Sequence, residues 1–133
     1  MVVSRLKRGI RSLILKTPVK RVLQDNQRKK IPILMYHGIY TENLPMSNWC
    51  QIPVESFNQH LSMLISRYNI LPLTEVLDRI YNNKPLPDFT ACLTFDDAFK
   101  NFYKIASPIL IELQVPAAVF AVTGSVDTMT PSW

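Results

Sequence analysis

Two carboxylates stand side by side at Asp96-Asp97, directly after the apolar run Ala91-Cys92-Leu93-Thr94-Phe95. Such a pair can divide labour: one carboxylate binds a metal ion while its neighbour takes a proton. Successive side chains of a strand point to opposite faces, so period-two geometry would aim the two groups differently. Read from the pair alone, helix capping competes, with either Asp accepting backbone N–H bonds at the start of the next segment. Tyr36-His37 and Thr123-Gly124 hold the same kind of position, each just behind an apolar run. His37 is a candidate site-lining residue, and a turn or core histidine is the plainer alternative. His60 falls in a helical pattern with no ligand partner at i+4 and reads as structural. Cys50 and Cys92 lie 42 positions apart without a C-x-x-C, so neither a disulfide framework nor a cysteine zinc site is indicated.

The elements that would carry these residues alternate. Ile31 to Tyr36 is a buried-strand signal ending in His-Gly. Thr41 to Pro53 is polar, holds Pro45 and Pro53, and reads as a long surface loop. Glu55 to Tyr68 is a helix with Phe57, Leu61, Leu64, Ile65 and Tyr68 on one apolar face and Ser56 as a candidate cap, unless Pro53 or Val54 shifts the start by a turn. Ile70 to Leu73 is brief and extended. Thr74 would cap a second helix through Tyr81, with Val76, Leu77 and Ile80 inward, and Asn82 to Pro85 stops it. Ala91–Phe95 is a strand. A helix from about Phe99 to Leu113 follows, kinked or broken at Pro108. Ala117 to Val122 is the third strand. This alternation predicts an α/β fold with a parallel sheet, whose sites lie at the carboxyl ends of its strands. His37, the Asp pair and Thr123-Gly124 all fall there.

The 133 residues, 47% hydrophobic and 19% charged, suit a single globular domain and exclude collagen-like or wholly disordered chains. The net charge of +5 divides unevenly. Residues 1–30 hold ten Lys and Arg against the single acid Asp25, net +9, whereas residues 31–133 hold five bases against nine acids, net −4. The boundary at 30 separates a basic amphipathic helical leader, with Val3, Leu6, Ile10, Leu13 and Ile14 on its apolar stripe, from the α/β body. Such a leader can lie on an anionic membrane surface, pack on the body or fray. No nucleic-acid partner is expected, because the body is acidic and residues 1–30 contain no aromatic for base stacking. The longest apolar runs are Leu13-Ile14-Leu15 in the leader and Ala117 to Val122 in the body. A signal core needs roughly 7 to 15 apolar residues and a spanning helix roughly 20, so a cytoplasmic chain, peripheral to the inner membrane face if the leader binds lipid, is expected.

Leu93-Thr94-Phe95-Asp96-Asp97 resembles the T-F-D-D motif of the polysaccharide deacetylases, the NodB-homology group of carbohydrate esterase family 4. The resemblance extends in order along residues 31–133. Ile33-Leu34-Met35-Tyr36-His37 is similar to the family's opening strand, and Phe57, Leu61, Leu64 and Tyr68 to its first helix. Leu73-Thr74-Glu75-Val76, Pro108-Ile109-Leu110, Val115-Pro116-Ala117 and Val119-Phe120 resemble the stretches that follow. The resemblance implies a distorted (β/α) barrel that removes N-acetyl groups from an amino-sugar polymer with a divalent metal, zinc or similar. By position Asp96 matches the family's catalytic base and Asp97 its metal ligand. His37 matches a histidine near the site in part of the family.

Two departures stand out. The family usually has Gly after the Asp pair, where this chain has Ala98, an exchange without cost only if φ there is negative. The other metal ligands normally come from an H-x-x-x-H motif, and this chain has only His37 and His60, at another spacing. The expectation is therefore the N-terminal part of a deacetylase domain, an open barrel that self-associates through an unpaired sheet edge. The alternative is a non-catalytic fragment that binds a membrane or partner through its leader.

Overall fold

The structure, a computed structural model, describes residues 29–41 and 49–124. The leader, nearly all of residues 1–30, lies outside the described residues. Residues 31–133 make one compact unit.

Strand β5 (Thr90–Asp96) is the axis of the body. On one edge it pairs with β1 (Ile33–Tyr36), Ile33 opposite Cys92 and Tyr36 opposite Phe95. Its other edge takes β4 (Asn69–Ile70) at the start, opposite Thr90 and Ala91, and β6 (Ala118–Phe120) at the end, opposite Thr94 to Asp96. All three pairings are parallel, as the alternation of elements predicts. A second small parallel sheet joins β2 (Gly38–Tyr40) to β3 (Gln51–Pro53). The reading of Thr41 to Pro53 as loop is corrected there, since three residues are too few to show a period of two.

Helix α1 (Val54–Ile65) follows β3 without a break and buries Phe57, Leu61 and Leu64, the i, i+4, i+7 stripe of an amphipathic helix. Ile65, expected on that face, is exposed. Helix α2 (Leu73–Tyr81) buries Val76, but Leu77 and Ile80 are 55% and 54% exposed against the inward positions expected. The helix meets the body along a narrow strip, and Glu75 pairs with Arg79 at 2.9 Å on a more open face. Neither Ser56 nor Thr74 caps. The N-cap residues are Pro53 and Pro72, both extended, whose fixed φ suits the cap position and whose missing N–H sacrifices no helical bond. The expected Phe99–Leu113 helix is a π-helical segment, Phe102–Ala106, running into α3 (Ser107–Glu112). Pro108 stands in the first turn of α3, so the widened turn precedes the residue that lacks a donor.

The core joins Leu93 and Phe95 of β5 to Phe57, Leu61 and Leu64 of α1 and to Ala106, Leu110 and Val115. At its upper end Tyr36, Phe57 and Phe95 form a closed aromatic triangle. Tyr36 lies 5.3 Å edge-on from Phe57 and 5.4 Å stacked on Phe95, and Phe57 lies 5.9 Å edge-on from Phe95. Phe102 approaches Phe95 at 4.7 Å. Burial pushes the Tyr36 hydroxyl up from its ordinary value, and that oxygen lies 3.4 Å from His60 Nδ1. His60 is thus a structural neighbour, as its position in the helix indicated. Neither cysteine forms a disulfide, and Cys92 is buried within β5. Among the described residues no helix is long and apolar enough to cross a membrane.

Phe57→Ala removes two edge contacts and opens a cavity under the strand ends. Stability should fall by about 3–5 kcal/mol, read as a lower urea midpoint with the slope unchanged.

Candidate functional site

Strand β5 delivers Asp96 as its last residue, half-buried and opposite Phe120 of β6. The chain then turns at once. Asp97 has φ 67° and Ala98 φ 51°, so two consecutive residues occupy the left-handed region. The divergence of the two carboxylates therefore comes from this turn and not from the pleat, because Asp97 has already left the strand. Asp tolerates the left-handed region better than most residues, and Ala does not. Ala98 thus places a Cβ where the backbone makes one costly. Strain of this kind concentrates where the surrounding structure over-determines the backbone.

On the neighbouring edge β1 ends at Tyr36, and His37 emerges between β1 and β2. Its Nε2 lies 4.0 Å from Asp97 Oδ2, with both side chains 14% exposed. The two residues singled out at separate strand ends, sixty positions apart, are thereby brought together. Asp97 Oδ2 is buried and has no hydrogen-bond partner among the described residues, so helix capping does not occupy that oxygen. Thr123 and Gly124, the third strand-end feature, are exposed.

Four further residues border the site without having been singled out in sequence. Asn101 Nδ2 donates to Gln51 Oε1 at 3.1 Å, tying the segment after the Asp pair to β3. Asn101 Oδ1 is buried and unpartnered. Gly38 makes room for this bond: a Cβ there would stand 2.8 Å from Gln51 Cγ and 2.9 Å from Asn101 Nδ2. Trp49 meets the His37 ring edge-on at 5.9 Å. The available signal was spacing, since Asn101 follows Asp97 by one helical turn and Gln51 opens the strand that pairs with Gly38.

The donor set fits a divalent metal only in part. An orphaned, buried carboxylate oxygen beside an imidazole is a suitable start, but structural and catalytic zinc sites take at least three protein ligands. Among the described residues no group of three His, Cys, Asp or Glu side chains could hold a metal ion.

A parallel sheet carries the acidic pair at the carboxyl end of its central strand with a histidine against it, and the fold that holds them is similar to that of a solved deacetylase. No family model matches the chain. YxkH of Bacillus subtilis, which carries the name polysaccharide deacetylase by assignment, is 29% identical over 105 residues, 78% of this chain and 36% of that one. The poly-beta-1,6-N-acetyl-D-glucosamine N-deacetylase of Escherichia coli is 40% identical over 62 residues, 46% of this chain and 9% of that one. Among solved structures, the Streptococcus pyogenes deacetylase PplD superposes with a TM-score of 0.64 at 33% identity, covering 77% of this chain and 46% of that one. The resemblance to the polysaccharide deacetylases therefore holds: over most of its length the chain is similar to part of such a protein. It spans about a third of the length of YxkH.

Two substitutions test the local geometry. Ala98→Gly relieves the left-handed strain and should raise stability by about 1 kcal/mol, seen as a higher urea midpoint. Gly38→Ala forces Gln51 and Asn101 apart and should cost about 1–3 kcal/mol by the same measurement.

Proposed function

We propose that this chain takes part in hydrolytic removal of N-acetyl groups from an amino-sugar polymer. The observation that carries this reading is the buried, unpartnered Asp97 Oδ2 with His37 Nε2 4.0 Å away and Asp96 adjacent. An orphaned carboxylate oxygen costs stability and calls for a partner from outside the fold. The substrate class is supported by the names of the relatives, one of which acts on poly-beta-1,6-N-acetyl-D-glucosamine.

In this reading Asp96 is the general base. It accepts a proton from the water that attacks the acetamide carbonyl; that proton is passed to the amide nitrogen as the C–N bond breaks, and acetate and the free amine leave. Asp97 would contribute one ligand to a divalent metal, which would supply polarisation of the carbonyl. His37 lines the site. The open sheet is part of a distorted (β/α) barrel, and residues 31–133 are its unit.

The leader favours a second role. Its net charge of +9 and its Leu/Ile stripe suit adsorption to an anionic membrane surface, with the chain at the cytoplasmic face.

The test supplies the chain with the complementary part of a polysaccharide deacetylase, zinc and N-acetylglucosamine oligomers, and measures acetate. Asp96→Asn should lower the rate by about 10²–10⁴-fold while zinc retained on equilibrium dialysis stays the same. Asp97→Ala should lower both. Undiminished acetate release by Asp96→Asn removes the base assignment, and unchanged zinc retention by Asp97→Ala removes the ligand assignment.

A further inference from the structure

Trp49 is 87% exposed, more open than a tryptophan is left by packing alone. The side chain is nonetheless located. Its ring meets His37 in a T-shaped contact, centroids 5.9 Å apart and planes inclined at 61°. His37 in turn is held 4.0 Å from Asp97. Two residues beyond Trp49 the chain enters β3, fixed in register against β2, with Gly38 opposite Gln51. The indole is therefore anchored from one side at the mouth of the carboxylate site, and its remaining surface faces solvent.

A flat, electron-rich π face open to water attracts groups that carry partial positive charge without strong hydration. A pyranose ring offers such a surface: several C–H groups on one face, with hydroxyls spread around the rim for water or protein. A nucleobase would stack as well, but it brings phosphates. The ring that Trp49 touches, His37, lies 4.0 Å from the Asp97 carboxylate, and the body is net −4, which repels a polyanion. A neutral acetylated sugar meets no such penalty.

We propose that Trp49 is a stacking platform that seats one sugar ring of an amino-sugar polymer beside His37 and the Asp96-Asp97 pair. The platform rests on the reading of the site as a sugar-polymer deacetylase and adds a residue that binds and positions the chain. Seating a ring next to His37 holds the neighbouring acetamide near the carboxylates, so contact energy gained away from the reacting bond goes into orientation.

The chain has two tryptophans, Trp49 and Trp133. In the full chain carrying Trp133→Phe, Trp49 is the sole indole reporter. Titration with short N-acetylglucosamine oligomers should shift its emission to the blue as the sugar displaces water. By calorimetry Trp49→Ala should weaken oligomer binding about five- to tenfold, and Trp49→Tyr, which keeps a π face, should retain most of the affinity. Urea midpoints of both variants should match the parent, because the side chain is exposed. Equal affinity of Trp49→Ala and the parent, or no oligomer binding by the parent, overturns the platform. Acetate release is scored separately in the Asp96→Asn comparison, so loss of the platform leaves the deacetylase reading standing. Loss of that reading likewise leaves the emission titration to decide whether sugar sits on Trp49.

Discussion

Strand β5 can be buried from Thr90 to Phe95 only because both of its edges are paired. Every backbone N–H and C=O of a strand withdrawn from water needs a partner, and unpaired groups there would cost more than the apolar side chains gain. Three separate strands supply the pairing: β1 along one edge, with β4 and β6 sharing the other. The carboxyl end of β5 is thereby fixed on both sides. Asp96 and Asp97 leave a rigid strand and not a loose loop, and the aromatic triangle of Tyr36, Phe57 and Phe95 sets the floor beneath them.

The same constraint brings two sequence-distant groups together. Parallel pairing sends β1 and β5 out at the same end of the sheet, and Tyr36 stands opposite Phe95. The residues immediately following are His37 and, two steps from the paired position, Asp97. Their 4.0 Å approach is thus a product of register. A slip of one residue in that pairing would turn Phe95 out of the core and separate the two side chains. The left-handed turn at Asp97 and Ala98 completes the arrangement, since it brings the second carboxylate round while Asp96 stays in the strand.

Much of this was legible in the sequence because the signals were long or doubled. Ala91–Phe95 is continuously apolar, Phe57, Leu61 and Leu64 keep helical spacing, and the Asp pair ends a strand. What escaped was short or contextual. Gly38–Tyr40 and Gln51–Pro53 make a sheet from three residues each, below the length at which alternation can be read. Thr74 is a good capping type, but Pro72 two residues upstream took the cap position, as Pro53, the alternative to Ser56, did for α1. Leu77 and Ile80 have inward spacing on α2, and their exposure depends on how little of the body that helix meets. Asn101, Gln51 and Trp49 gain meaning only from neighbours that are remote in sequence.

The pairings of β5 also differ in how much chain each must close. Asn69 meets Thr90 and Thr94 meets Ala118 across short connections, whereas Ile33 meets Cys92 across nearly sixty residues. Closing the longer loop carries an extra entropic cost of about 1 kcal/mol. Contacts distant in sequence also form late when they must wait for others to reward them. Loop entropy alone therefore favours early association of β4, β5 and β6, with β1 docking onto a sheet already present. On that order Tyr36 and His37 are expected to arrive late, and the half of the site that faces the carboxylates with them.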